Sequence, residues 1–287
     1  MRPHLLKLYA VAAVFLGLNG TLLSEAGDLH ASQPARAYAA PGGPGSAAPL
    51  PLAIRLRVAS FVPATIAAEA GSRGILVVGA LTALAGQVTR KSDPAALRLA
   101  FQAYYNYRAA HPGEVRNPYL YFVDYGLDSR TPRGYVFDMD ALKVVEGPFT
   151  VAHGRGSDAP DGVPERFSNE SGSYMSSLGL FLTREVYAFT GSSGGGSYRS
   201  IGLRMSGVSG AFNSAAYDRA VVVHGAPYVT PDGAGRSEGC PAMEPDRAER
   251  LIPLIGNGGM VFLFSPNDPA WLRQDPWAHG LTGLRTK

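Results

Sequence analysis

From Tyr119 to Phe264 the apolar residues fall into short runs broken by turn residues, a texture that leaves little room for a helical fold. The runs are Tyr119–Tyr125, Gly134–Asp138, Lys143–His153, Gly179–Thr183, Ile201–Met205, Ala220–His224 and Met260–Phe264. They are rich in aromatic or β-branched side chains, and Gly, Pro, Asn, Asp and Ser punctuate the gaps, the pattern of short strands joined by turns. The chain's 35 glycines and 22 prolines among 287 residues point the same way. The expected fold is mainly β, one sandwich or barrel-like domain over residues 117–266 with a few short helices. At 46% hydrophobic residues the chain has enough apolar material for a sizeable core.

The flanking segments read differently. Ser92-Asp93-Pro94 is a helix start, with a capping side chain and then a proline where a missing N–H does no harm. Leu97, Ala100, Phe101, Tyr104 and Tyr107 follow at helical spacing until His111-Pro112-Gly113, so residues 92–116 are expected to hold an N-terminal helix. Residues 40–91 are read as a Pro/Gly-rich linker followed by an uncertain segment. Within it Ile75–Leu84 fits either a short helix or a strand. Pro245–Ile255 has proline at its start, Asp246 in its first turn and Gly256 just past its end, which predicts a helix. Gly191–Ser197 reads as a flexible hairpin loop, and residues 267–287 as a C-terminal tail.

At the N-terminus Arg2, His4 and Lys7 precede the apolar run Leu8–Leu18, and small-residue cleavage patterns follow. Residues 1–39 are therefore expected to be a signal peptide, or else an uncleaved anchor, and the protein to be exported to the periplasm or cell envelope. No later run is long and apolar enough to insert stably in a membrane. The formal net charge is +3; residues 1–39 carry Arg2, Lys7 and Arg36 against Glu25 and Asp28, so the remainder is +2. Without a basic stripe this excludes a nucleic-acid binder as the main reading. The glycine-rich loop lacks a lysine, which excludes a phosphate-binding loop.

Cys240 is the sole cysteine. A lone thiol in an exported chain is buried and inert, paired with another chain, or chemically employed. Gly239 before it lets a substrate approach closely, and the helix expected from Pro245 can aim its N-terminal dipole at the sulfur. His224 closes the run Ala220–His224 sixteen residues upstream. The leading expectation is a cysteine nucleophile with a depressed pKa, His224 as general base and then acid, and the Gly239 and Cys240 amides as oxyanion donors. His153, which also ends a strand before a glycine, is the rival base, with a structural histidine as its commoner role. A zinc site built from His153, His224 and Cys240 lacks any close ligand pair, so no metal and no cofactor is expected.

His224-Gly225, then Gly235-Arg236-Ser237-Glu238-Gly239-Cys240-Pro241-Ala242, resembles the catalytic motif of the L,D-transpeptidases (YkuD type), and most closely their murein L,D-transpeptidase branch. Asn117-Pro118, Val123-Asp124-Tyr125, Val151-Ala152-His153-Gly154, Phe167-Ser168-Asn169, Ser176-Ser177-Leu178-Gly179 and Val223-His224-Gly225-Ala226 extend the likeness over about 115–266. The resemblance implies an L,D-transpeptidase-like β-sandwich. In it the cysteine attacks the L-to-D bond of a peptidoglycan stem tetrapeptide and hands the acyl group to an amine. Water as acceptor would make it an L,D-carboxypeptidase or endopeptidase, and loss of activity a silent cell-wall-binding module. Arg236, Ser237, His153, Ser168, Asn169 and Ser177 are the candidate substrate-binding residues, with Ser176 also near the cleft. Two departures stand out: Glu238 where many relatives have histidine, and Pro241-Ala242 after the cysteine. An acidic side chain close to the sulfur disfavours a thiolate.

Overall fold

A computed structural model describes residues 64–279 of the chain. The expectations for residues 1–39, for 40–63 and for the tail beyond residue 279 fall outside the described residues. Twelve strands follow in order: β1 (Tyr119–Asp124), β2 (Gly134–Asp138), β3 (Lys143–Phe149), β4 (His153–Gly154), β5 (Gly179–Ser193), β6 (Gly196–Gly207), β7 (Val222–Gly225), β8 (Val229–Thr230), β9 (Gly233–Ala234), β10 (Arg236–Ser237), β11 (Ala242–Met243) and β12 (Met260–Phe264). Eight of them form one sheet in the order β11-β7-β6-β5-β12-β1-β2-β3, and β10-β4 and β8-β9 make two short ribbons. Four α-helices accompany them: α1 (Ala64–Leu84), α2 (Ala96–Ala110), α3 (Pro245–Ile255) and α4 (Pro269–Gln274). The mainly β expectation with a few helices holds.

The sheet is covered on both faces at its centre. Phe101 of α2 meets Phe137 of β2 edge to face at 5.4 Å, while Arg247 of α3 lies over Phe149, which itself stacks on Tyr121 of β1. Leu120 and Phe137 are register partners, whereas Tyr121 points to the opposite face, so α2 and α3 pack on opposite sides. This explains why Leu120–Asp124 and all of β12 are buried without a polar alternation.

The helix expected from Ser92 begins later, at Ala96. The Ser92 hydroxyl is taken by Asp124 Oδ1 at 2.5 Å and its N–H by Oδ2 at 2.8 Å, so it ties the helix approach to the end of β1 instead of capping. Asp93 makes the local turn, its Oδ1 accepting from Ala95 N–H at 2.6 Å. The undecided segment before it is helical as α1, which packs on α2.

The strand expected over Gly179–Thr183 runs much further. β5 and β6 form a long hairpin whose turn places Gly194 and Gly195 at φ +58° and +79°. Two successive positive φ angles need glycine in a two-residue hairpin turn. A register shift between Thr183 and Val186 lets the pair bend away from the sheet. Tyr187, Phe189 and Tyr198 carry the hairpin past the sheet edge towards His224, which Phe189 meets at 5.7 Å.

The expected C-terminal tail is structured as far as residue 279. Trp271 of α4 is fully buried between Phe262 and Phe264, and Trp277 Nε1 donates to Val208 O at 2.7 Å.

Candidate active site

Cys240 sits where the chain turns into the sheet-edge strand β11. β11 pairs in parallel with β7, Ala242 opposite His224, so the residues before Ala242 run back alongside Val222. Val222 N–H donates to Cys240 Sγ at 3.4 Å, and the thiol's other neighbour is Ala220 O at 3.9 Å. His224 lies two residues along β7 from Val222, about 7 Å at the usual rise of a strand. The two expected partners are thus brought onto adjacent strands two residues out of register, yet neither His224 nitrogen is hydrogen-bonded to Sγ. Instead Nδ1 lies 3.1 Å from Gly225 O, which can only accept. Nδ1 therefore carries the proton and Nε2 keeps its lone pair, with Tyr228 Oη 3.5 Å away.

The charge state differs from the depressed thiol pKa expected of a ready nucleophile. Burial pushes the Cys240 thiol up; the Val222 N–H and the Arg219 guanidinium pull it back, and Glu238 adds to the rise. Burial pushes the His224 imidazole down, with the Gly225 carbonyl opposing. Both desolvation effects favour a neutral thiol beside a neutral imidazole over an ion pair.

The turn before the cysteine is built by Ser237, whose Oγ donates to Cys240 O at 2.7 Å and accepts from Gly239 N–H at 3.2 Å. Gly239 sits at φ +123°, where a side chain would also press to 2.9 Å from Met175 O. The Gly239 amide expected as an oxyanion donor is thus engaged by Ser237, while the Cys240 N–H has no hydrogen-bond acceptor among the described residues. Ser237 shapes this turn.

Sγ opens onto a cavity of about 270 Å³ whose walls include Ser171, Tyr174, Arg219, Val221 and Glu238. A larger cavity, about 830 Å³, lies elsewhere, among Asp128, Arg130, Asp158, Asp161, Asp232 and Arg236. Size alone does not choose between them; the smaller one holds the only thiol. Glu238 is 73% exposed and lies 3.6 Å from Arg155, so solvent screens it.

The remaining candidates are spread over bracing roles. Ser176 Oγ donates to Gly239 O at 3.1 Å and accepts from Gly154 N–H. Ser177 Oγ donates to Ser168 O at 2.8 Å, Ser168 Oγ accepts from Glu170 N–H, and Asn169 spans to Ser214 and Ala215. These four hold the segment that supplies Ser171 and Tyr174 to the cavity. Arg236 is tied to Asp158 at 2.7 Å, to Ser129 Oγ and to two carbonyls, and lines the larger cavity.

His153 is 0% exposed, which leaves it no surface for substrate. Arg133, also fully buried, donates to its Nδ1 at 2.8 Å, so Nε2 carries the proton and donates to Asp158 at 3.2 Å. Burial and the neighbouring Arg133 and Arg236 lower the His153 pKa to about 3. Its stability contribution is full above the ordinary value near 6.5 and is lost as pH falls towards about 3, because the unfolded chain takes up the proton first. In NMR titration the His153 ring is expected to keep neutral-imidazole shifts from pH 8 down to pH 5; a midpoint near 6.5 would contradict this arrangement. Arg219 is the residue the sequence reading missed. Only its place directly before the run Ala220–His224 hinted at a role. No group of three metal-binding side chains is assembled among the described residues.

Comparison with known proteins gives one family match, described as "L,D-transpeptidase catalytic domain", over residues 88–264. Among solved structures, the chain is similar to an L,D-transpeptidase from Mycobacterium smegmatis (14% identity, TM-score 0.33, 51% of this chain and 58% of that one). It is also similar to one from Stackebrandtia nassauensis (14% identity, TM-score 0.33, 60% and 68%) and to residues 123–326 of one from Xylanimonas cellulosilytica (17% identity, TM-score 0.30, 52% and 61%). The chain thus spans 58% of the length of the first of these structures. No curated protein matches it.

Proposed function

The chain belongs to the L,D-transpeptidase catalytic-domain family, and on that premise we propose that it is an exported cysteine acyltransferase acting on peptidoglycan stem peptides. The observation that carries this reading is the sole thiol lining an open cavity, two strand positions from a histidine whose Nε2 carries the lone pair that can accept a proton, with Tyr228 Oη 3.5 Å from it. Export draws support from the basic start and short apolar run at the N-terminus; no described helix is long and apolar enough to cross a membrane.

In this reaction the carbonyl of the L-to-D bond enters the cavity. His224 Nε2 takes the Sγ proton as Sγ bonds to the carbonyl carbon. The deprotonation waits for substrate, since both groups rest neutral. The developing oxyanion is met by the unengaged Cys240 N–H. As the carbon–nitrogen bond breaks, His224 returns its proton to the departing D-alanine nitrogen, leaving a thioester. An acceptor amine then loses a proton to His224, attacks the thioester and restores the thiol.

Purified protein incubated with a disaccharide-tetrapeptide is expected to release D-alanine and to form a cross-linked dimer, followed by mass spectrometry. Release without dimer would make water the acceptor. His224→Gln keeps the ring's approximate volume but removes the base, and is expected to slow D-alanine release by about 10²–10⁴-fold. If the tetrapeptide stays untouched while the thiol is demonstrably accessible, the acyl donor lies outside stem peptides.

A further inference from the structure

The Arg219 guanidinium lies against the turn that carries the cysteine: a Cβ added at Gly239 would stand 3.7 Å from its Nη2. Both terminal nitrogens are committed. Nη1 donates to Ser168 O at 2.8 Å and Ser177 Oγ at 2.6 Å; Nη2 donates to Met175 O at 2.9 Å and Ser173 Oγ at 3.3 Å. One side chain thereby holds both ends of the segment that supplies Ser171 and Tyr174 to the cavity wall. All four acceptors are neutral, and Arg219 makes no ion pair with any described residue, so its charge is not cancelled locally. A planar fork can satisfy this many acceptors at once where an ammonium cannot.

We propose that Arg219 is the positioning residue of the site, clamping the 168–177 segment onto the Gly239–Cys240 turn and setting an unneutralised positive charge beside Sγ. The proposal rests on the reading of Cys240 as the nucleophile. The groups facing the sulfur are few. Among the described residues Glu238 is the one carboxylate that acts on the thiol, and it is exposed and paired with Arg155. Tyr125, Tyr187, Tyr198 and Tyr228 lie within electrostatic reach, each held by burial above the ordinary tyrosine value and therefore neutral at working pH. His224 is held neutral by its own burial. Among the described residues Arg219 is thus the cation whose charge acts on the thiol, Arg155 being paired with Glu238, and a low-polarity site magnifies its effect relative to water. Tyr174, at φ +55° and stacked under Arg155 at 3.6 Å, depends on the same clamp. A left-handed non-glycine residue persists only where surrounding contacts hold it.

The test reads the pH dependence of Cys240 alkylation by iodoacetamide, which needs no muropeptide, alongside KM and kcat on the tetrapeptide. Arg219→Gln and Arg219→Met are expected to raise the alkylation midpoint by about one pH unit, a tenfold loss of thiolate below it. Arg219→Lys keeps the charge but not the fork, so its midpoint stays near the original while KM rises. Ser177→Ala removes one tie and leaves the charge, with the same expected pattern as Arg219→Lys. A midpoint unmoved in both uncharged variants overturns the proposal. So does a shift in Ser177→Ala as large as theirs, since the loop and not the charge would then set the thiol. If neither uncharged variant folds, the Lys and Ala variants still decide: a shift of a full unit in either overturns it. Failure of the acyl-transfer reading is seen separately, as normal alkylation shifts with no D-alanine release from any protein.

Discussion

Cys240→Ser is expected to abolish D-alanine release, by about a thousandfold or more, with the fold intact by circular dichroism. The hydroxyl is a far weaker acid than the thiol, and its shorter bond to carbon pulls the nucleophilic atom back from the Val222 N–H that now contacts Sγ at 3.4 Å. On the proposed reading, removing the thiol disables the whole unit, because Cys240 is the group that His224 would deprotonate. In the unmodified protein the pH profile of kcat/KM carries the same logic. Burial lowers the His224 pKa, so the base form persists below the usual imidazole value and the acid limb is expected below about pH 6.5. Residual activity above a few per cent in the serine protein would move the nucleophile away from Cys240.

Trp271→Ala is expected to be the most destabilising single change outside the site, about 3–5 kcal/mol. Its indole is fully buried between Phe262 and Phe264 of β12, and Nε1 donates to Asp275 Oδ2 at 2.9 Å. Truncation leaves a cavity beneath the central strand and strips a buried carboxylate of one partner. For a domain of this size the melting temperature should fall by about 6–20 °C. A fall of less than a few degrees would mean that α4 is peripheral to the core. The family match ends at residue 264, so this measurement also tells whether residues 265–279 belong to the same cooperative unit.

The strand positions were readable because their local cause is local. Val136, Phe137, Val261 and Phe262 are β-formers in short runs bounded by turn residues, and they are strands. The hairpin beyond Thr183 was not readable. Arg184 to Ser193 carries mixed polar and aromatic residues whose pairing with β6 is fixed across the turn, not within the run. The helix start at Ser92 failed for a similar reason, since Asp124, 32 positions away, takes the side chain that a cap would need.

At the site, the sequence determined which residue types meet: a lone thiol after a glycine that only a glycine can replace, and a histidine ending a strand. It also carried the family, through the residues around His224 and Cys240. Tertiary structure decided everything that depends on what is buried against what. It made His153 an internal brace by surrounding it with Arg133 and Asp158. It turned Ser237 and the Gly239 amide towards each other, and it bound Arg236 to Asp158 away from the thiol. It raised the thiol and lowered the imidazole through desolvation, which no spacing encodes. It also brought Arg219 beside Gly239, a distance set by folding the 168–177 segment over a turn some sixty residues downstream. Composition and periodicity act along the chain, whereas charge and solvation act through space, and a buried polar group answers to whichever neighbours the packing supplies.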